Sequence, residues 1–253
     1  MKSLISRGSR FIRRTLGNHV LPEPYDYVQS YTEQNLHKYV GKPKEGIQLI
    51  VIVGGYLGHE ISRLIHQYKK TEVIVFEPST RYFERLRNRF HDTSNISIHQ
   101  FAVGSETGDK IFYETSLKGA GSLLRLNEFA SKSYGATQEE SFMVRSITLD
   151  EHARLFKWDS REVDILWIDV QGAESQVIAG ATTTLKRTRS VFIEVSRWMP
   201  TYQEGALMED IEKALYAQSF RVELLGLDVR NGTGNALFVS PESFRSRWNC
   251  VEK

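Results

Sequence analysis

Two neighbouring features of the sequence combine residue types that could hold a cofactor. The glycine-rich stretch Gly54-Gly55-Tyr56-Leu57-Gly58 follows an apolar run, and glycines there let the backbone approach a ligand closely at the start of a helix. Glu77-Pro78 ends the next apolar run, and a carboxylate at that position can accept hydrogen bonds from both hydroxyls of a ribose. The two features together indicate a cofactor of adenosine type.

Two further acids end later apolar runs. Asp169 opens the stretch Asp169-Val170-Gln171-Gly172-Ala173-Glu174, and Glu194 follows the next run along the chain. A helix cap is the ordinary structural explanation for Asp169, and a surface acid is the one for Glu194. A short-chain nicotinamide reductase needs a Tyr-x-x-x-Lys pair, and no tyrosine of this sequence has lysine four positions later. Hydride transfer is therefore disfavoured.

These residues must be positioned by alternating strands and helices. Apolar runs bounded by turn residues predict strands, and apolar residues at intervals of three and four between them predict helices. Such alternation is typical of parallel βαβ units in a doubly wound α/β sheet, in which ligands bind at the carboxyl ends of the strands. The last two strands are joined by the turn Asn231-Gly232 and predict an antiparallel hairpin. The strands are predicted over 48–53, 72–76, 96–101, 163–168, 191–195, 221–227 and 235–240.

The domain organisation follows from these elements. Residues 1–46 form an N-terminal extension, in which proline and glycine after residue 16 predict an irregular or short-helical lead-in, and residues 47–253 form the main domain. Between the third and fourth strands, 104–162 is rich in glycine and serine. We expect an extra strand near 110–113 there, followed by a loop or lid over the site, where substrate specificity would reside.

The first residues of the chain predict a basic amphipathic helix over 2–16. At 100° per residue, apolar side chains fall on one side and five basic side chains on the other. One interpretation is peripheral contact with an anionic membrane surface; a terminal helix that packs on its own domain is equally compatible, and a mitochondrial presequence is a third. The basic side chains are those of Lys2, Arg7, Arg10, Arg13 and Arg14.

Composition excludes several classes of protein. The 253 residues include a single cysteine, Cys250, so an internal disulfide and a cysteine-based zinc site are both excluded. No apolar run approaches the roughly 18 residues of a membrane-spanning helix. The total charge is only +2 although the N-terminal helix is strongly basic, so the rest of the chain is net negative. We therefore expect no nucleic-acid partner, and a cytoplasmic protein that contacts the inner membrane face at most peripherally.

Seven short motifs occur in an order that resembles the FkbM-type S-adenosylmethionine-dependent methyltransferases. The resemblance covers roughly residues 47–240. It is carried by Val53-Gly54-Gly55-x-x-Gly58, Phe76-Glu77-Pro78, Ala102-Val103-Gly104, Gly121-Ser122-Leu123, Thr148-Leu149-Asp150, Ile168-Asp169-Val170-Gln171-Gly172-Ala173-Glu174 and Ile193-Glu194-Val195.

The resemblance implies a class I methyltransferase sheet of seven strands in the order 3-2-1-4-5-7-6. It also implies methyl transfer to a hydroxyl, often on a sugar of a glycan, glycolipid or natural product. The glycines after the first strand would line the methionine half of S-adenosylmethionine, Glu77 would hold the ribose, and Ala102 and Val103 would flank the adenine. Ser122 would touch the substrate or cofactor, or be a plain turn serine.

An alcohol becomes a good nucleophile when a base removes its proton, so the implied reaction needs a base or a metal. Asp169 is the first candidate for the base, and Glu194 and Glu174 come next. The same acids could instead hold Mg²⁺, which prefers carboxylate oxygens. His59, at the predicted start of a helix, is a further candidate, although an exposed or capping histidine is the preferred explanation.

The sequence also departs from the family pattern. Ile52 stands where an acid is usual, Gly55-Tyr56 replaces Ala-Asn, and Trp167 and Gln171 replace a lysine and a glutamate. Two alternatives therefore stay open beside an O-methyltransferase. One is a non-catalytic binding protein that retains the fold, and the other is a nicotinamide-dependent oxidoreductase.

Overall fold

The computed structural model describes residues 15–16, 19–20, 23–24, 34–228 and 232–249. Helix α1 covers 34–40 and leads into a parallel array of strands and helices. The first half of this array consists of β1 (Leu49–Val53), α2 (His59–Gln67), β2 (Glu72–Phe76), α3 (Thr80–Arg89) and β3 (Ile96–His99).

The second half of the array resumes after the segment that follows β3. Helix α5 (Leu149–Leu155) precedes β6 (Val163–Ile168), and the short helices α6 (Glu174–Ala179) and α7 (Thr182–Lys186) lead to β7 (Thr188–Ser196). The domain closes with α8 (Met208–Ala217), β8 (Arg221–Leu227), β9 (Thr233–Val239) and α9 (Pro241–Asn249).

The main sheet has the predicted strand order. Its seven long strands are arranged β8-β9-β7-β6-β1-β2-β3, which is the order 3-2-1-4-5-7-6 of a class I methyltransferase sheet. Strands β3, β2, β1, β6 and β7 are parallel to one another, whereas β9 is antiparallel to both β7 and β8. The two-residue strand Glu23–Pro24 adds an eighth member beside β8. The doubly wound α/β prediction is therefore confirmed.

Both faces of the sheet are buried, because alternate residues of each strand point into two separate cores. Leu49, Val51 and Val53 of β1 pack with α5, α6, α7 and α8 on one face. Ile50 and Ile52 point the opposite way and pack with α1, α2 and α3. This two-sided burial explains why the central strands are continuously apolar rather than alternating.

The segment 104–162 contains more regular structure than the predicted loop. The expected extra strand is present as β4 (Gly108–Thr115), but its partner β5 (Gln138–Ile147) was not predicted. The two pair in antiparallel fashion, with α4 (Glu128–Tyr134) between them, and β5 also pairs with the two-residue strand Ala102–Val103. These strands form a second, three-stranded sheet beside the carboxyl ends of the main one.

Other element boundaries also differ from the sequence prediction. The third strand ends at His99 rather than 101, because the chain then leaves the main sheet for the second one. The helix after β6 is broken at Gly180, where a Cβ would lie 2.1 Å from the carbonyl oxygen of Gly104. The sequence pattern also predicts a helix over about 203–219, and the structure confines it to Met208–Ala217.

The predicted N-terminal helix lies largely outside the described residues. Residues 2–14 are not among them, and Thr15–Leu16 pairs in antiparallel fashion with His19–Val20, so the last two positions of the predicted helix are extended. Within the described part of the chain, no helix is both long and apolar enough to cross a membrane.

Candidate active site

A cavity opens at the carboxyl ends of β1, β2 and β6, where the strand order reverses. The glycine turn after β1 forms one wall, the end of β2 a second, and β4 with its following loop forms a roof. A ligand in this position would contact the ends of several parallel strands, as is typical of open α/β sheets.

The glycine turn is fixed by close packing against the neighbouring strand end. Gly54 has φ of +99°, and a Cβ there would lie 1.9 Å from the carbonyl oxygen of Asp169. Only glycine fits both the backbone conformation and this contact. The turn thereby sets the end of β1 directly against the end of β6 and brings Asp169 to the cavity wall.

Glu77 ties the end of β2 to the same turn. Its carboxylate is buried and accepts backbone N–H groups from Tyr56 at 2.8 Å and from Ser79 at 2.9 Å. Burial raises the pKa of Glu77 to about 7, while hydrogen bonds from backbone amides, including that of Gly55, oppose the shift. Glu77 also lines the cavity, so this carboxylate is available to a ligand there.

Two glycines of the roof allow the loop after β4 to lie close to aromatic rings. Tyr56 has φ of +42° and stacks edge-on against Tyr82. A Cβ at Gly119 would lie 3.0 Å from the ring of Tyr56, and one at Gly121 would lie 2.7 Å from that of Phe112. The short sequence Gly119-Ala120-Gly121 therefore lets the roof come down over the glycine turn.

Asp169 and Glu194 are bridged by the side-chain amide of Gln171. The amide nitrogen donates to Oδ1 of Asp169 at 2.7 Å and to Oε2 of Glu194 at 2.9 Å. The amide oxygen accepts the hydroxyl of Tyr202 at 3.2 Å. Sequence analysis proposed the two acids separately, and the fold brings them to one place at the ends of β6 and β7.

The two bridged acids have raised pKa values. Desolvation by the surrounding protein raises the pKa of Asp169, and the hydrogen bond from Gln171 opposes the shift. The side chain is nevertheless accessible from the cavity. Desolvation, followed by the charges of Asp169 and Glu174, raises the pKa of Glu194 well above its ordinary value. Both acids therefore bind a proton more readily than ordinary carboxyl groups do.

Glu174 organises the loop from which Gln171 projects. Its buried carboxylate accepts the backbone N–H groups of Val170 at 3.2 Å and Gly172 at 3.1 Å. Burial raises the pKa of Glu174 to about 7, and the charge of Asp169 adds to the shift. Glu174 does not line the cofactor cavity, and its carboxylate is bonded to backbone amides. Its role is therefore to fix the conformation of the loop after β6.

The structure gathers eight of the predicted cofactor-binding residues around the cavity and places the others elsewhere. Leu57 and Gly58 do not line the cavity, and Ser122 is buried, with its hydroxyl accepting the N–H of Leu124 at 3.0 Å. His59 is exposed at the first position of α2 and does not line the cavity. The eight are Gly54, Gly55, Tyr56, Glu77, Pro78, Ala102, Val103 and Asp169.

Several residues of the cavity escaped the sequence prediction. Glu114 and Phe112 come from β4, and Glu60 and Tyr82 lie on helices whose cavity-facing positions look like ordinary surface or core positions in sequence. The repeated glycines at 119 and 121 were the available signal that this loop approaches another part of the chain.

The cavity suits a positively charged ligand. Every charged side chain that the structure places along the described cavity wall is acidic, namely Glu60, Glu77, Glu114 and Asp169. A sulfonium cofactor with an ammonium group matches this lining, and the carboxylate of Glu77 matches a ribose. Among the described residues, no group of three or more His, Cys, Asp or Glu side chains is arranged to hold a metal ion.

Comparison with known sequences places this geometry among methyltransferases. A family model of the FkbM methyltransferase domain matches residues 53–222, which is more than half of the chain. The 2-O-methyltransferase NoeI of Sinorhizobium fredii is 26% identical over 155 residues, a match that covers 58% of this chain and 63% of NoeI. The matched region therefore spans less than two thirds of that relative's length.

Comparison with solved structures agrees with the fold. An inferred rRNA methylase from Clostridium thermocellum superimposes with a TM-score of 0.51 at 9% identity, covering 87% of this chain and 97% of that one. Fibrillarin of Aeropyrum pernix, solved with natively bound S-adenosylmethionine, is 13% identical with a TM-score of 0.46, covering 83% of this chain and 74% of that one. At these identities the likeness concerns the fold alone.

Proposed function

The chain belongs to the FkbM methyltransferase family, and we propose that it transfers the methyl group of S-adenosylmethionine to a hydroxyl of a sugar, in a glycan, a glycolipid or a natural product. Family membership agrees with the resemblance noted in the sequence. The sugar hydroxyl is our extension, supported by the 2-O-methyltransferase relative and by the acid pair beside the cavity.

The residues of the cavity fit the cofactor by their chemistry. Glu77 would accept the ribose hydroxyls, Gly54 and Gly55 would admit the methionine half, and Ala102 with Val103 would flank the adenine. When bound, S-adenosylmethionine supplies an electrophilic methyl group on a positively charged sulfur. The acidic wall stabilises that charge and keeps the cofactor in the cavity.

Asp169 is the residue best suited to remove the proton of the acceptor hydroxyl. It lines the cofactor cavity, whereas Glu194 does not. Gln171 fixes the orientation of the Asp169 carboxylate through the 2.7 Å hydrogen bond. In this reaction the acceptor oxygen forms a bond to the methyl carbon, the sulfur–carbon bond breaks, and Asp169 takes the proton.

One observation carries the proposal. A carboxylate held by a neutral amide stands at the point where the strand order reverses, beside a cavity whose charged wall is acidic. A base next to a site for a cationic cofactor is the arrangement that methyl transfer to a hydroxyl requires. Orientation of the two reactants then supplies most of the rate.

Calorimetric titration of the purified protein with S-adenosylmethionine, S-adenosylhomocysteine and NAD⁺ tests the proposal. We expect binding of the first two and none of the third. Transfer of labelled methyl from S-adenosylmethionine to saccharide fractions then tests the reaction. Binding without transfer to any hydroxyl compound would favour a binding protein that retains the fold, and preferential binding of NAD⁺ would favour an oxidoreductase.

A further inference from the structure

A second cavity lies on the other side of Gln171, at the carboxyl ends of β6 and β7. Its polar lining includes the carboxylate of Glu194 and four hydroxyl-bearing side chains, and nothing above assigns it a ligand. Gln171 borders both this cavity and the cofactor cavity. The four hydroxyl-bearing residues are Ser196, Thr201, Tyr202 and Thr233.

Gln171 forms the wall between the two cavities. Its amide reaches Asp169, which lines the cofactor cavity, and Glu194, which lines the second one. The backbone of Gln171 has φ of +57°, a conformation that residues other than glycine rarely adopt. Gly172 follows with φ of +95°. Strained positions of this kind concentrate at sites where ligands bind or segments move.

The second cavity disfavours an anionic ligand and offers many partners to ligand hydroxyls, because the charged side chains that line it, Glu174 and Glu194, are both acidic. No cationic side chain is among the described residues that line it, so an anionic group would meet Glu194 without a counter-charge. Carboxylate and hydroxyl groups pair well with ligand hydroxyls, because a carboxylate accepts from a ligand hydroxyl and a protein hydroxyl can either donate to it or accept from it.

An exposed tryptophan lies close to two residues that line this cavity. Trp198 is 58% exposed, although aromatic side chains are usually covered. It follows the lining residue Ser196 by two positions, and its ring packs over Gly232, the neighbour of lining residue Thr233. A flat ring held by the backbone beside a polar cavity is a surface on which the apolar face of a sugar ring can stack.

We propose that this second cavity binds the sugar ring of the acceptor, with Trp198 as its stacking surface and Gln171 as the boundary across which the acceptor hydroxyl reaches the cofactor. The inference rests on the proposed methyltransferase function and narrows its substrate to a neutral sugar. It also gives Glu194 a second role, as the group that holds an acceptor hydroxyl next to Asp169.

Saturation-transfer NMR tests the subsite without knowledge of the natural acceptor. The probes are methyl glycosides of common hexoses, deoxyhexoses and N-acetylhexosamines, added to the full chain saturated with S-adenosylhomocysteine. We expect a signal from at least one glycoside, and its loss in Trp198→Ala. Phe244→Ala is the matched control: Phe244 is an exposed aromatic on α9, which contacts the beginning of β7 rather than its carboxyl end, and its removal should leave the signal intact.

Calorimetry with S-adenosylhomocysteine on each variant separates the two levels of the proposal. Unchanged cofactor affinity together with a lost sugar signal supports the subsite. No signal from any glycoside, or an equal signal in wild type and Trp198→Ala, overturns the subsite while cofactor binding still supports the methyltransferase. Absence of cofactor binding in the wild type would overturn the proposed function itself.

A kinetic test applies to any glycoside that accepts a methyl group. Trp198→Ala should raise the acceptor KM about tenfold and leave kcat and the cofactor Kd within about twofold, because a stacking surface binds the ground state and transition state equally. A fall in kcat with an unchanged acceptor KM would contradict a stacking role.

Discussion

The carboxylate of Glu77 accepts the backbone N–H of Tyr56 at 2.8 Å and so joins the end of β2 to the turn after β1. Tyr56 is held at φ of +42°, and the bond from its amide is one of the interactions that keep it there. The residue proposed to hold the ribose therefore also shapes the loop proposed to hold the methionine half. Affinity and loop geometry are coupled through this single side chain.

Glu77→Ala should weaken S-adenosylmethionine binding by about 1.5–3 kcal/mol, the range for loss of a charge-assisted hydrogen-bond pair. Glu77→Gln should fall between wild type and Ala, because its amide oxygen can still accept the N–H of Tyr56. Titration calorimetry on folded variants measures the effect. Glu84→Ala, which removes an exposed carboxylate from α3, is the control and should bind normally. Equal affinity of Glu77→Ala and Glu84→Ala would refute the ribose assignment.

Asp169→Asn should lower methyl transfer by about 10²–10⁴-fold while the fold and most of the cofactor affinity are kept. The replacement is nearly isosteric, but its amide cannot take the acceptor proton. Single-turnover transfer of labelled methyl measures the rate. Full turnover in this variant would move the base assignment to Glu194.

A chelator distinguishes a base from a metal ligand in the unmodified protein. If Asp169 acts as a base, as proposed, treatment with chelator and addition of Mg²⁺ should both leave the rate unchanged. Activity that is lost with chelator and restored by Mg²⁺ would instead assign Asp169 and Glu194 to a metal site.

Stability should decrease as pH rises from about 4.5 to about 7. The pKa of Glu174 is about 7 in the folded protein and near 4.5 when unfolded, so the folded state binds more protons in this interval. The stabilisation is complete below the unfolded pKa and is lost as pH rises through the folded one, with a slope of at most about 1.4 kcal/mol per pH unit for one proton.

Glu174→Gln should reduce this pH dependence, because the amide has no proton to lose. Thermal unfolding at pH 5 and pH 7.5 measures it, and the difference in Tm between the two should be smaller than in wild type. Glu84→Gln, at an exposed site, should leave the difference unchanged. A Tm that rises between pH 5 and pH 7.5 in wild type would contradict the raised pKa values.

Gly54→Ala should destabilise the protein more than Gly135→Ala does. Both glycines have positive φ, so both substitutions strain the backbone by about 1 kcal/mol. At Gly135 the added Cβ would meet nothing within 4 Å, whereas at Gly54 it would lie 1.9 Å from a backbone oxygen. Urea unfolding of the two variants measures the difference, and equal losses would show that the turn can relax.

Deletion of residues 1–18 should leave cofactor binding unchanged and reduce partitioning onto anionic vesicles. The expectation rests on the basic face predicted for 2–16, and the reduction should shrink as salt rises because the attraction is electrostatic. Cosedimentation with phosphatidylglycerol vesicles measures it, with neutral vesicles as the control. Equal vesicle binding with and without these residues would refute membrane contact and favour a terminal segment that packs on its own domain.

The main sheet was predictable because its strands obey local rules. Each is a buried apolar run closed by glycine or an acid, and the helices between them repeat at intervals of three and four. Strand β5 was missed because seven of its ten residues are not buried and its first four residues are polar, so only pairing with β4 identifies it. Local pattern cannot reveal a strand whose stabilisation comes from a partner formed elsewhere in the chain.

The candidate site was predictable in its parts but not in its connections. Glu77 and Asp169 were found because a strand end is visible in the sequence. The bridge formed by Gln171 and Tyr202 was not found, because the two lie 31 positions apart and their contact depends on how two loops pack. The second cavity depends on the same loops and has no sequence signature.

The pairing of Ala102–Val103 with Ser146 and Ile147 sets the boundaries for grafting between relatives. A chimera that exchanges only 104–162 would pair the recipient's Ala102–Val103, which lines the cofactor cavity, with a strand β5 taken from the relative. The break at Gly180 also depends on the carbonyl of Gly104, so a graft that shifts this residue disturbs the helices after β6. An exchange of acceptor preference should therefore carry residues 101–148 as one piece and leave α5 to the recipient.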